Sequence, residues 1–341
     1  MRRSPLLFLL AAACASAQKP APTPNTTTPI TQAPNALLAD TSRAIAYSGY
    51  REGQHPDRGD GEVAPSDDQL LEDLKILVAA DFTLIRLYDS GALSTRVLKL
   101  IAAHDLPIRV MLGAWLQAEL SNHEGCAWLT EPIPEAELAA NTKANGEEVQ
   151  RVIALANQYP RIVVAVNVGN EALVTWNDHL VALDAMLAYM KTVKAAIAQP
   201  VTTADNYVVW REQGAALMTV ADFAAIHTYP AWENKTIDEA MAYTIENLQG
   251  VRDAIPAAQL VIAEAGWATT AVEFPTANEA NQTRYFRELM AWAKTSNVTT
   301  FFFEAFDEPW KGHLANPDGA EKHWGLWFVD RTPKAALKSL Q

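Results

Sequence analysis

From residue 44 onward the chain alternates short, almost continuously apolar runs with longer segments whose apolar residues recur at helical spacing. The apolar runs are 44–50, 84–89, 108–115, 162–171, 201–206, 223–229, 260–267 and 300–307. Rich in Val, Ile and Ala, they read as strands buried on both faces. The segments between them read as helices. Ser66-Asp67-Asp68-Gln69 opens one with a capping-box pattern, and Leu70, Leu71, Leu74, Leu77 and Val78 follow along one face. Others are expected over 95–104, 135–158, 179–197, 237–255 and 278–295, with a short one over 210–217. Eight strands with helical crossovers and no internal linker predict an α/β fold, a single (β/α)8 TIM barrel. An open doubly wound sheet is the alternative. It lacks support, because no Gly-rich phosphate loop follows the first strand.

Upstream of the barrel the pattern changes. Residues 1–17 carry Arg2 and Arg3, then a short apolar stretch and Ala15-Ser16-Ala17, which fits an export signal with a small-residue cleavage site. Leu10-Ala11-Ala12-Ala13-Cys14 also resembles a lipobox, which would make Cys14 a lipid anchor. Residues 18–40 are rich in Pro, Thr, Asn and Gln and read as an extended, solvated linker. The catalytic-size domain is then 41–341. Export to the periplasm, an outer-membrane anchor or the medium follows from this leader. No run is long and apolar enough for a transmembrane span.

Composition narrows the chemistry. The formal net charge of −13 repels phosphate backbones, so nucleic acid is excluded as a partner, whereas a neutral glycan feels little of that field. Two cysteines, Cys14 and Cys126, build no disulfide framework. His55, His123, His227 and His323 show no metal-ligand spacing, and no metal or cofactor is expected.

In such barrels reacting groups lie at the C-terminal ends of the strands. Here those ends are polar and aromatic: Tyr47, Arg86, Tyr88, Trp115, Asn170, Glu171, Asp205, Asn206, His227, Tyr229, Glu264, Trp267, Glu304, Asp307 and Glu308. Glu171 closes the fourth strand and Glu264 lies on the seventh, on opposite sides of an eight-stranded barrel. Two carboxyls about 5–5.5 Å apart suit a retaining glycosidase. Membership of structural ion pairs is the competing reading for both. Asn170, directly before Glu171, favours the glycosidase, because an amide there can hold a sugar 2-hydroxyl. Trp115, Trp267 and Trp310 offer flat faces for sugar rings.

Asn170-Glu171, Glu264-Ala265-Gly266-Trp267, Ile85-Arg86-Leu87-Tyr88-Asp89 and Phe306-Asp307-Glu308 together resemble glycoside hydrolase family seventeen, the β-1,3-glucanases and β-1,3-glucanosyltransferases. The resemblance runs from about Ala44 to the C-terminus. It implies Glu171 as acid/base and Glu264 as nucleophile. It also implies a polar network of Glu308 and Lys311 beside the nucleophile. Ala265 and Pro309-Trp310 depart from the plant pattern, and 47–56 looks like the bacterial branch, which holds transglycosylases as well as hydrolases. The expectation is a retaining β-1,3-glucan hydrolase with a neutral β-glucan as substrate. The alternatives are a transferase of the same chemistry, a β-1,4-active barrel or a non-catalytic glucan-binding barrel. Tyr47, Arg86, Tyr88, Trp115, Asn170, His227, Tyr229, Trp267, Glu308, Trp310 and Lys311 are the expected substrate-binding residues.

Overall fold

The computed structural model describes residues 30–33, 43–57, 61–313 and 315–338. The expected export signal, Cys14 and most of the expected linker lie outside these residues. Eight parallel strands close into a barrel in the order β1-β2-β3-β4-β5-β6-β7-β8. They are β1 (Ala44–Ala46), β2 (Leu84–Arg86), β3 (Arg109–Ala114), β4 (Val163–Asn170), β5 (Val201–Asn206), β6 (Ala224–His227), β7 (Leu260–Ala265) and β8 (Thr300–Phe302). Eight helices alternate with them: α1 (Asp67–Ala79), α2 (Ala92–Ala103), α3 (Glu135–Gln158), α4 (Leu183–Ala196), α5 (Tyr207–Leu217), α6 (Ile237–Ala254), α7 (Glu279–Ser296) and α8 (Ala335–Lys338).

The local chemistry matches the pattern. Ser66 caps α1 in a full capping box with Gln69. α5 is longer than the expected 210–217, because Asn206 both ends β5 and accepts the Val208 N–H as N-cap, so no loop intervenes. α4 starts at Leu183 rather than at 179, and the residues before it form part of the barrel mouth. Two apolar layers result. Ala44, Leu84, Met111, Ala165, Phe223, Val261, Ala263 and Phe301 fill the lumen, while the alternate strand residues pack outward on the helices.

One expectation fails at the other end of the barrel. Residues 30–33 are not wholly solvated: Ile30 and Gln32 are buried, while Thr31 and Ala33 are exposed. The Gln32 amide accepts from the Leu260 N–H at 2.6 Å and donates to the Leu260 carbonyl at 2.8 Å. It thus satisfies both backbone groups at the start of β7, and Arg252 donates to the same Gln32 oxygen. A polar composition reads as solvated, yet an amide side chain can pair with exposed strand backbone. Among the described residues no helix is long and apolar enough to cross a membrane.

Candidate active site

A one-residue bulge precedes each of the two glutamates. In β7, Val261 and Ala263 face the lumen, so strict alternation would turn Glu264 outward. Against β6 the register runs Ile226↔Ile262 and then His227↔Glu264. Against β8 it runs Ile262↔Thr300 and then Ala265↔Phe302. The extra residue swings Glu264 inward and leaves Ala265 in the outer layer. In β4 the register runs Asn167↔Thr202 and then Asn170↔Ala204. There Gly169 takes φ 78° and Glu171 φ 47°. Glycine suits position 169, because an L side chain is strained at that φ. Bulges of this kind re-aim side chains beside active sites.

Glu264 is 6% exposed. Its Oε1 accepts from Arg86 Nη1 at 2.6 Å and from the Tyr88 hydroxyl at 2.9 Å. Its Oε2 accepts from the Tyr229 hydroxyl at 2.6 Å. Burial works against ionising this carboxyl, but His227, Arg86 and the two hydroxyls outweigh it and hold its pKa at about 2. His227 Nε2 lies 3.2 Å from Arg86 Nη1, which can only donate, so Nε2 accepts and the ring proton sits on Nδ1. Burial, then the charge of Glu264, pushes both phenols up, so they remain donors.

A group whose folded pKa is depressed adds stability above its unfolded value of about 4.3 and loses it as pH falls through its folded value. Wild-type stability should therefore drop more steeply than that of Glu264→Gln between about pH 5 and pH 2. Urea unfolding of both proteins across that range measures it; parallel curves would mean that Glu264 is not held as an anion.

Glu171 is more open, with its side chain 21% exposed. His227 Nδ1 donates to its Oε1 at 2.9 Å, and Asn177 Nδ2 donates to its Oε2 at 3.3 Å. The same His227 nitrogen is 3.6 Å from Glu264 Oε2. These two contacts keep Glu171 Oε1 and Glu264 Oε2 within about 6.5 Å of each other, which is compatible with the about 5–5.5 Å carboxyl spacing of retaining glycosidases. Asn170 Oδ1 accepts from Arg86 Nη2 at 2.5 Å, which leaves the amide's amino end to donate outward.

Around this pair lie the other expected residues. Trp115 is partly exposed and lies on the His179 ring, centroids 4.7 Å apart. Past β8, Lys311 Nζ contacts Glu304 at 2.8 Å and Glu308 at 2.5 Å, and Trp310 Nε1 donates to Glu308 at 2.9 Å. Burial, then Glu308, pushes the Glu304 carboxyl well up. Burial opposes charge on Glu308 as well, but Lys311 outweighs it and holds that carboxyl below the usual range. The trio thus reads as one acid, one carboxylate and one ammonium. Sequence reasoning missed Asn177 and His179, in the loop after β4, and Glu321, in a single 3-10 turn over Ala320–Lys322, where no periodicity marks them. Burial raises the Glu321 carboxyl, which feels Lys311, Glu264 and Glu171 in turn.

Two expected subsite residues are not in the site. Trp267 is fully buried, with its indole N–H on the Thr276 carbonyl and its ring 5.7 Å from Tyr285. Tyr47 is 2% exposed and sends its hydroxyl to Asp73 on α1, 3.3 Å away. Proximity in sequence to a strand end does not decide which face a ring takes. Trp267→Ala should therefore destabilise the fold by about 3–5 kcal/mol. Denaturant unfolding measures this, and kcat/KM of the folded fraction should stay near wild type. A collapse of kcat/KM with unchanged stability would return Trp267 to the site.

A closed parallel barrel with a carboxylate pair across its C-terminal mouth defines the class of (β/α)8 glycoside hydrolases. Residues 44–325 match the BtgE/BtgC glycoside hydrolase domain, and the chain belongs to that family. A glucan 1,3-beta-glucosidase of Arthroderma benhamiae is 26% identical over 272 residues, 74% of this chain and 79% of that protein. A glucan 1,3-beta-glucosidase of Schizosaccharomyces pombe is 29% identical over 51% of this chain and 57% of its own length. Among solved structures, an endo-laminarinase from Formosa Hel1_33_131 superposes with TM-score 0.76 at 26% identity, covering 89% of this chain and 88% of its own. A β-1,3-glucanosyltransferase from Rhizomucor miehei, at TM-score 0.67 and 22% identity over 86% of this chain and 96% of its own, shares the fold.

Proposed function

We propose that this chain is a retaining glycoside hydrolase acting on β-1,3-glucan, with Glu264 as nucleophile and Glu171 as acid/base. The observation that carries this reading is the single His227 nitrogen within 2.9 Å of one carboxylate and 3.6 Å of the other. Glu264, ionised and aimed by three donors, attacks the anomeric carbon. Glu171 gives its proton to the departing glycosidic oxygen, and a covalent glycosyl-enzyme forms. Glu171, now a carboxylate, takes a proton from water as that water attacks the same carbon and releases Glu264. The donors on Glu264 moderate its nucleophilicity but make it a better leaving group in this second step.

The linkage is supported by the names of the relatives and by the endo-laminarinase likeness. Three half-exposed indoles stand in loops that follow strands at the mouth: Trp128 at 60%, Trp176 at 41% and Trp232 at 39% exposure. Such faces suit the apolar sides of glucose units. Export, with or without a lipid on Cys14, rests on the leader alone.

Product analysis on linear β-1,3-gluco-oligosaccharides at low and high concentration tests the proposal. Shorter products at both concentrations support hydrolysis. Longer products at high concentration make the chain a glucanosyltransferase with the same two glutamates. No turnover on β-1,3-oligomers, with turnover on β-1,4-oligomers, would refute the linkage.

A further inference from the structure

The turn that carries Glu171 is costly to hold. Glu171 lies in the left-handed region at φ 47°, where an L side chain crowds its own backbone. Such a conformation persists only where the surroundings over-determine it. Strand β5 supplies two of the restraints. The Ala204 carbonyl accepts the Glu171 N–H at 2.9 Å. One residue further along β5, Asp205 Oδ2 accepts the Leu173 N–H at 3.0 Å. The first restraint is main chain and belongs to any sequence with this register. The second is a side chain, and its chemistry is unusual.

Asp205 is fully buried. Its Oδ1 accepts the Asn206 N–H at 2.8 Å, so both carboxyl oxygens serve as acceptors. Among the described residues no lysine or arginine acts on it. Burial, then the charge of Glu171, pushes its carboxyl well up, against the pull of the two backbone N–H groups. An asparagine has one acceptor oxygen and could hold only one of those N–H groups, whereas the two Asp205 oxygens hold both. That double hold matters because Glu171 must meet a glycosidic oxygen within hydrogen-bond reach.

We infer that Asp205 is a positioning residue for proton transfer, clamping the left-handed turn so that the Glu171 carboxyl stays between His227 and Asn177. The inference rests on Glu171 being the acid. It assigns Asp205 no contact with substrate.

The test uses leaving groups. A natural glucan needs its departing oxygen protonated, whereas a dinitrophenyl β-glucoside does not. kcat/KM reports the steps through formation of the glycosyl-enzyme, so it isolates this need. Asp205→Ala should lose about 10²-fold on a β-1,3-oligosaccharide, the scale of a misplaced catalytic group. It should lose under about tenfold on the dinitrophenyl glycoside. Asp205→Asn keeps an acceptor and the side-chain shape, and should show the same split at reduced size. It carries the test if the alanine variant does not fold. Glu171→Gln is measured alongside. If Glu171→Gln shows no leaving-group split, the acid assignment itself fails. If Glu171→Gln shows it while the Asp205 variants lose equally on both substrates, or lose nothing, the positioning role is overturned.

Discussion

Glu264→Ala should keep the barrel and lose turnover by on the order of 10⁵–10⁶, the scale seen when a covalent nucleophile is removed. The remaining structure explains why the loss would be deep. Arg86, Tyr88 and Tyr229 all aim donors at the vacated position. Arg86 is fully buried, so its charge would be left without a partner. That typically costs about 3–5 kcal/mol of stability. The vacated space is therefore a ready anion site. Azide or formate should fill it, raise the melting temperature and restore part of the activity on a dinitrophenyl β-glucoside. The rescuing anion attacks from the face Glu264 occupied, so azide should give the α-glycosyl azide. A β-glycosyl azide from this variant would contradict the nucleophile assignment.

The second large effect belongs to Glu171. Glu171→Gln preserves the hydrogen bond from His227 and removes the proton. Natural glucans should lose about 10²–10⁴ in rate, as is usual when a general acid is removed. With a dinitrophenyl substrate the glycosyl-enzyme still forms but persists, since no base activates water. Azide needs no base, so it should resolve that intermediate to the β-glycosyl azide and speed turnover. Opposite anomers from the two variants would separate the two roles within one chemistry. The same anomer from both would mean that the division between them is wrong.

Most of the barrel was legible because its strands are buried on both faces and so lack polar interruptions until their ends. The helix α3 over Glu135–Gln158 matches its expected range, and α6 and α7 match within a residue. The carboxylate pair was legible for the same reason, since a glutamate closing a run of valines has no cheap structural explanation. The aim of those glutamates was not legible. Both depend on an extra residue in β4 and β7, and a bulge breaks the two-residue period on which inside and outside are read. The misplacement of Trp267 and Tyr47 has a related cause. Beyond the last ladder bond alternation no longer applies, and packing against Tyr285 or a bond to Asp73 decides the direction. From the loop after β4, Asn177 holds the Glu171 carboxyl and His179 the Asn170 carbonyl, at positions fixed by tertiary contact alone. Gln32 misled in the opposite sense, because its polarity suggested solvent where the barrel floor offered unpaired backbone.

The measurement that bears most directly on the two-carboxylate account is the anomeric configuration of the first product. A linear β-1,3-gluco-oligosaccharide is cleaved in deuterated water and followed by proton NMR from the earliest time points. Attack by Glu264 and then by water inverts the anomeric carbon twice. The new reducing end should therefore appear first as the β anomer, with α growing in only at the rate of mutarotation. An α anomer at the first time points would mean a single inversion, and it would contradict the nucleophilic role of Glu264.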